Sequence, residues 1–459
     1  MISSSDISYY IISLGCSKNQ VDSEKLNGEM LAAGFKFAKS IEDADIIIIN
    51  TCGFIQSAKE EAIEEIFEAL SIKESKSKKS NTFTAKVVVV GCLTQRYFDD
   101  IKKEIPELDY IAKIPNSKLV LELAKKFDIK LESLPIRTQI PLVDDLYYSY
   151  IKISEGCSNN CSYCAIPMIR GHYYAFSPSQ ILLDVYMALS RGVKEIILVG
   201  QDTSLYSYEG IRSQEILDIM NRLGLDSSKN RIDISDLICM ISSIEGVEWI
   251  RLLYCHPDNI DDKLIETIAL NDKVVKYLDI PFQHASEKVL SSMGRKGNYD
   301  KYLSLVQKIR EKINGISIRS TFMVGYPNES EEDFKILINF LKTAKLDKVG
   351  AFVYSPEEGT RAFKMRNKVD VKTSKSRYSK LMKVQQKISQ KCLEHKIGTI
   401  SNILVEGRID DYTCFGRTSY DAPEVDGLIY FESQEDLIGK IIEVKITGSS
   451  EYDLIGEVV

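Results

Sequence analysis

The chain has 459 residues, 44% of them hydrophobic and 27% charged, an ordinary balance for a folded chain of about three domains at roughly 150 residues each. No apolar run approaches the ~20 residues of a membrane span, and the N-terminal MISSSDISYYIISLGC lacks the basic and apolar regions of an export signal, so a cytoplasmic protein with no membrane attachment is expected. In that setting ten cysteines point to metal, cluster or redox chemistry rather than to disulfides.

In chain order, apolar runs at Tyr9 to Ser13, Ile46 to Asn50 and Lys86 to Val90 alternate with helical patterns such as AKEEAIEEIFEALSIK from Ala58. This alternation predicts an α/β domain over residues 1–130 built on a parallel sheet. The lysine- and serine-rich SIKESKSKKSNT from Ser71 reads as an exposed loop. A second series predicts strands at Tyr150 (YIKI), Glu195 (EIILV), Trp249 (WIRLL), Lys276 (KYLDI), Ile316 (ISIRSTF) and Val349 (VGAFV). Six strand–helix repeats over residues 145–380 predict a partial (β/α) barrel, which would carry its function at the C-terminal strand ends. Within it, NRLGLDSSKNRID from Asn221 reads as a variable loop. A charged helix follows. Short strands in SNILVEG, GRTSYD, GLIYFE and KIIEVKITGSS then predict a small β-barrel over 392–459. Its acidity is local: residues 397–459 hold four basic and thirteen acidic side chains, a balance of −9, and the rest of the chain is +2.

GCSNNCSYC places Cys157, Cys161 and Cys164 directly after a predicted strand in C-x3-C-x2-C spacing. Thiolates hold iron–sulfur clusters, and three of them leave one iron of a cubane open to another ligand. The competing reading is a zinc site completed by His172, although zinc knuckles usually pair two C-x2-C units. Cys16, Cys52 and Cys92 each lie just past the end of a predicted strand, the edge where open α/β sheets bind ligands. They are expected to converge. Cys239, Cys255, Cys392 and Cys414 lie in no motif and read as small buried residues or inert thiols.

The triplet resembles that of the radical S-adenosylmethionine superfamily, with Tyr163 as the aromatic before the last cysteine. SLGCSKNQVDSE, NTCGFIQSAKEE, GCLTQRY, KISEGCSNNCSYCAIPMIRG, GQDTS, DIPFQHAS and FMVGYPNESEEDF are similar to the methylthiotransferase family within it. GRTSYDAPEVDGLIYF resembles a TRAM domain. The resemblance spans nearly the whole chain in order. It implies two 4Fe-4S clusters, on Cys157/Cys161/Cys164 and on Cys16/Cys52/Cys92, with S-adenosylmethionine bound at the open iron of the first. It further implies cofactor contacts from Tyr163, Gly200, Gln201, Asp202, Phe322, Val324 and Gly325.

The resemblance favours the branch that methylthiolates an aspartate β-carbon in a small-subunit ribosomal protein. GQDT carries Asp202 where the tRNA-modifying branch typically has asparagine. CHPD at Cys255 and MGRKGN at Met293 depart from the usual wording and leave the substrate contacts there open. An acidic C-terminal domain agrees with a basic protein partner and disfavours tRNA, whose phosphates call for basic surface. A flavodoxin or ferredoxin is the electron donor that such a resemblance implies. Asp279, Gln283, His284 and Arg319 are candidates for the substrate pocket. The rival readings are the same chemistry on a tRNA adenosine and a non-catalytic iron–sulfur carrier.

Overall fold

Four consecutive isoleucines in Ile46–Thr51 and four valines in Lys86–Gly91 make strands whose residues are buried almost throughout. Such strands need helices on both faces of their sheet. The computed structural model describes residues 2–77, 84–143, 146–211 and 213–459, in two compact units. The first comprises Met1–Asp145, Gly156–Ser158 and Ala165–Tyr173, and the second comprises Leu146–Glu155, Asn159–Cys164 and Tyr174–Val459.

In the first unit, β1 (Ser8–Ser13), β2 (Lys36–Phe37), β3 (Ile46–Thr51), β4 (Lys86–Gly91) and β5 (Tyr110–Ile111) form a parallel sheet in the order β2-β1-β3-β4-β5. Ile46, Ile48, Val88 and Val90 pack with residues of α1 (Ser17–Ala32) on one face. Ile47, Ile49, Val87 and Val89 pack with residues of α2 (Gln56–Ser77) and α3 (Cys92–Glu104) on the other. The direction of winding reverses between β1 and β3, where such sheets open a crevice at the strands' carboxyl ends. The lysine- and serine-rich stretch from Ser71 is not a loop at its start, because α2 continues to Ser77. Lys73 anchors that last turn on Asp109 at 2.6 Å, and Lys76 donates to the Ala44 carbonyl at 2.5 Å. The remainder of the expected loop, 78–83, lies outside the described residues.

The second unit is built on β6 (Tyr148–Lys152), β7 (Glu195–Val199), β8 (Trp249–Leu252), β9 (Val274–Asp279), β10 (Ser317–Val324) and β11 (Lys348–Val353). All run parallel, each beside its sequence neighbour, as the six repeats predict. The expected loop from Asn221 has structure of its own. A helix over Gln214–Arg222 precedes it, and Arg231–Asp233 pairs antiparallel with Ser207–Glu209. Buried Ile216, Met220 and Ile232 supply the apolar contacts that hold this excursion down.

β12 (Ile400–Arg408), β13 (Thr413–Thr418), β14 (Ile429–Glu432), β15 (Ile441–Ser449) and β16 (Leu454–Val458) close into a barrel in the order β12-β13-β14-β16-β15. The strand expected at GRTSYD lies further upstream, on TCFGRT. Thr418 and Asp421 close a turn instead, with the Asp421 amide donating to the Thr418 carbonyl at 3.1 Å. This barrel belongs to the second unit. Glu195, the first residue of β7, is fully buried between Arg251 of β8 (2.6 Å) and Arg417 of β13 (2.7 Å). Asp426 takes Arg319 at 2.8 Å and the Tyr277 hydroxyl at 2.8 Å, and Asp421 takes Lys348. Burial pulls the Glu195 carboxyl upward, but the two guanidiniums outweigh it and hold it below the usual carboxylate range.

Candidate functional site

In the first unit the three cysteines emerge from three neighbouring strand ends. Cys16 caps α1, Cys52 follows β3, and Cys92 opens α3. Two glycines let these segments close on one another. A Cβ on Gly15 would lie 2.7 Å from Cys52 Cβ, and one on Gly53 would lie 2.7 Å from Leu93 Cα. Asn19 fastens the corner: its Nδ2 donates to the carbonyls of Leu14 at 2.7 Å and Asn50 at 3.0 Å. Asn50 returns a bond to the Asn19 carbonyl at 3.0 Å and donates to Ser23 at 2.8 Å.

The thiols sense one another. Burial above all pushes Cys52 up to about 11, with backbone donation from Phe54 opposing and the neighbouring Cys16 and Cys92 adding to the rise. Burial also raises Cys92, against the pull of Arg170. Cys16 is held below its ordinary value: burial opposes this, but Lys18, the Asn19 amide and Arg170 prevail. Three thiols at neighbouring strand ends, close enough to act on one another electrostatically, are a donor set of the kind that holds iron–sulfur clusters.

Cys157 of the C-x3-C-x2-C triplet falls in the first unit, where its amide donates to the Gly171 carbonyl at 3.1 Å. Cys161 and Cys164 fall in the second, joined by a turn in which the Cys164 amide donates to the Cys161 carbonyl at 3.1 Å. The loop of these two is held firmly. Ser162 meets the Tyr326 hydroxyl at 2.7 Å and the Ser292 carbonyl at 2.9 Å, and Arg361 donates to the Asn160 carbonyl at 2.6 Å. Buried Arg295 lies beside Tyr163, whose phenol is pushed well up, first by burial and then by the Cys161 thiol.

At the carboxyl ends of the barrel strands, buried polar atoms lack partners among the described residues: Ser154 Oγ, Gln201 Oε1, Thr203 Oγ1 and Gln283 Oε1. Each is costly unless a ligand or water meets it. Gly200 packs so closely that a Cβ there would lie 2.5 Å from Ser154 Oγ. A polar cofactor at these strand ends therefore fits the residues present. Asp202 differs from Gln201. Its two oxygens accept from Asn259 at 2.7 Å, Asn159 at 3.1 Å, Ser204 at 2.7 Å and the His256 amide at 3.3 Å. Phe322 and Val324 are fully buried, Phe322 in an aromatic cluster with Phe282 and Phe340. They offer a ligand backbone atoms only. Gly325, at φ +75°, donates its amide to Glu329 at 2.6 Å and packs on Ser374.

Two of the four pocket candidates already have partners within the protein. Arg319 is committed to Asp426 of the C-terminal barrel, with Asp279 at 3.8 Å. His284 is fully buried, accepts from the Ser286 amide at 2.9 Å, and is lowered to about 3 by burial. Gln283 retains its orphaned oxygen. Asp279 receives the Tyr254 amide at 3.1 Å. Asn19, Asn159, Arg170 and Arg295 join the site only through the fold. The signal for them lay inside motifs already in view, as the polar residues beside the cysteines in GCSKN and CSNNC and as the arginines of IPMIRG and MGRKG.

Residues 8–113 match the family model described as Uncharacterized protein family UPF0004, residues 151–341 the Radical SAM superfamily, and residues 397–459 the TRAM domain. A solved radical S-adenosylmethionine methyltransferase, TsrM from Kitasatospora setae, shares the fold at a TM-score of 0.52 and 13% identity, over 83% of this chain and 89% of that one. The "Ribosomal protein uS12 methylthiotransferase RimO" of Petrotoga mobilis is 39% identical over 98% of this chain and 99% of its own length. A protein of the same name from Clostridium botulinum is 42% identical over 98% and 97%. With likeness of that degree running from end to end, the chain belongs to the ribosomal protein uS12 methylthiotransferase (RimO) family of radical S-adenosylmethionine enzymes.

Proposed function

We propose that this protein places a methylthio group on the β-carbon of an aspartate in ribosomal protein uS12. The observation that carries the reading is the pair of cysteine triplets, one at three neighbouring strand ends of a parallel sheet and one in the loop after the first barrel strand. An aspartate β C–H bond is too weakly acidic for an ordinary side-chain base, so the reaction requires radical chemistry. Two 4Fe-4S clusters and S-adenosylmethionine, when bound, supply the radical and the sulfur.

The chain's own residues hold and orient. Cys157, Cys161 and Cys164 would ligate the cluster that binds S-adenosylmethionine, and Cys16, Cys52 and Cys92 the second. Ser162, Tyr326 and Arg361 fix the Cys161–Cys164 loop. Gln201, Ser154 and Gln283 present the unmet polar atoms that a bound cofactor satisfies. Asp202 keeps the GQDT loop against Asn159 of the triplet loop. Buried apolar side chains around the barrel strands exclude water. The electron donor is expected to be a flavodoxin or ferredoxin, and the protein partner to be basic.

Mass spectrometry of small-subunit proteins tests the reading. In cells with the enzyme, uS12 should carry one added methylthio group. In cells with the Cys157→Ala variant it should not. An unmodified uS12 alongside a methylthiolated tRNA would overturn the substrate assignment. Reconstituted enzyme should hold about eight irons per chain, two cubanes of four.

A further inference from the structure

Arg170 lies in the first unit, at the end of the short helix Ile166–Arg170. It is 7% exposed. Its Nη1 stands 2.5 Å from Asp22 Oδ2, and its Nη2 donates to Asn19 Oδ1 at 3.1 Å and to Cys92 Sγ at 3.2 Å. Ala165 and Ile169 of the same segment pack on Cys92, excluding water around that sulfur.

Burying a guanidinium is unfavourable before its partners are counted, and an apolar side chain in its place would commonly leave the fold as stable. A neutral thiol is a poor acceptor for so strong a donor. The arrangement gains from a sulfur that carries negative charge, as a cluster ligand does. Asn19 holds the guanidinium on that sulfur and also ties the ends of β1 and β3 together, so the direction of the bond is set by the backbone of the site.

We propose that Arg170 is a positioning residue for the cluster on Cys16, Cys52 and Cys92, and that its charge-assisted hydrogen bond to the Cys92 sulfur raises that cluster's reduction potential. The inference rests on the reading of these three cysteines given above. Hydrogen bonds to the sulfurs and local net charge are the protein's means of setting such potentials. A guanidinium keeps its charge at every working pH. Asp22, the counter-charge on the far side of the guanidinium, partly offsets it. Removing the cation should therefore lower the potential, and removing the anion should raise it.

The test uses full-length protein with Cys157, Cys161 and Cys164 changed to alanine, so that the second cluster alone contributes, and follows its signal in an anaerobic redox titration by electron paramagnetic resonance. Arg170→Met should move the midpoint to more negative values, Asp22→Asn to more positive values, and Arg170→Lys should stay near the parent. Opposite shifts from two adjacent residues are not the signature of a loosened fold. Midpoints that do not move, or that move in the same direction, overturn the proposal. If Arg170→Met holds no iron, the direction of the Asp22→Asn shift decides. If Arg170→Lys also holds none, the residue serves cluster assembly and the proposal fails. A parent that binds no cluster would instead overturn the assignment of Cys16, Cys52 and Cys92.

Discussion

Arg417 of the C-terminal barrel places its Nη2 2.7 Å from Glu195 Oε2, at the first residue of a central barrel strand and out of reach of solvent. Glu195 gives its other oxygen to Arg251 at 2.6 Å. Arg417 has a second acid in Glu406 at 2.8 Å, whereas among the described residues Arg251 has Glu195 as its one ion-pair partner. Glu195→Gln should destabilise the protein by about 3–5 kcal/mol, because it leaves buried charge uncompensated. Replacing Glu195, Arg251 and Arg417 together by apolar residues of similar volume should cost far less. Denaturant midpoints of the three-residue and single variants check this, and a single variant within about 1 kcal/mol of the parent would contradict it.

The acidity of residues 397–459 divides into two groups. Nine of the thirteen acids are exposed, whereas Asp421 and Asp426 are enclosed by Lys348, Arg319 and Tyr277. Reading charge alone would assign Asp421, Glu424 and Asp426 to partner recruitment, yet Glu424 also accepts from the Tyr148 hydroxyl at 3.0 Å. Asp426→Lys should therefore act on stability, by roughly 3 kcal/mol or more. Reversing exposed Glu435, Asp436, Glu443 and Glu451 should slow association with basic uS12 and leave cofactor cleavage intact. Association kinetics over a salt series checks the second expectation: the slowing should fade as salt rises. An unaffected quadruple variant would remove these acids from recruitment.

Burial lowers His284 to about 3, with Asp333 pulling the other way and Arg377 adding to the fall. In the unfolded chain the ring takes up its proton near pH 6.5. A depressed folded value means that the stability contributed is fully present above pH 6.5 and is lost as pH falls toward 3. From pH 6.5 to 5.5 the loss should be about 1 kcal/mol for this residue. His256, lowered to about 4 mainly by burial, adds a second contribution of the same sign. His284→Gln should keep an acceptor for the Ser286 amide and remove one of the two contributions. Denaturant midpoints at pH 7.5, 6.5 and 5.5 should show a shallower acid loss in the variant. Equal slopes would show that the ring protonates without unfolding.

The sheets were legible because their strands are dense in Ile and Val and sit between helices, so the apolar runs are continuous and their ends stand out. Glu195–Val199 matches its expected span residue for residue. α1 was illegible for the opposite reason. Its sequence SKNQVDSEKLNGEMLA is polar on every side, yet most of it is buried. Its charges find partners distant in sequence: Asp22 in Arg170, Glu24 in Gln139, and Glu29 in Arg137. Periodicity reports apolar faces and is silent on a helix packed through hydrogen bonds and ion pairs. The cysteines were found by strand-end placement, whereas Arg170 needed the fold, since nothing in IPMIRG says which sulfur its guanidinium meets. The ion pair of Arg319 was illegible because a strand residue's position along the barrel does not reveal that a later domain supplies its carboxylate.

Asp202 separates two roles that a carboxylate in a cofactor loop can have. If its charge acts on a ligand, neutral replacements should all be damaging. If it is a scaffold, what matters is that both its oxygens meet their donors. The geometry favours the second, since four protein donors already occupy it and it is 2% exposed. Asparagine can keep this arrangement. Its oxygen would take Ser204 and the His256 amide, and its amide nitrogen would face Asn159 and Asn259, whose side-chain amides can each turn over to offer oxygen in place of nitrogen. Asp202→Asn should therefore cost about 1 kcal/mol or less and keep cleavage of S-adenosylmethionine within a few-fold of the parent. Asp202→Ala strands several buried donors, at about 1–3 kcal/mol each, and should release Asn159 and with it the triplet loop. The KM for S-adenosylmethionine should then rise about 10-fold or more, with a smaller change in kcat. Measuring 5′-deoxyadenosine release against cofactor concentration for both variants distinguishes the two roles. An asparagine variant as impaired as the alanine one would show that the charge itself is required.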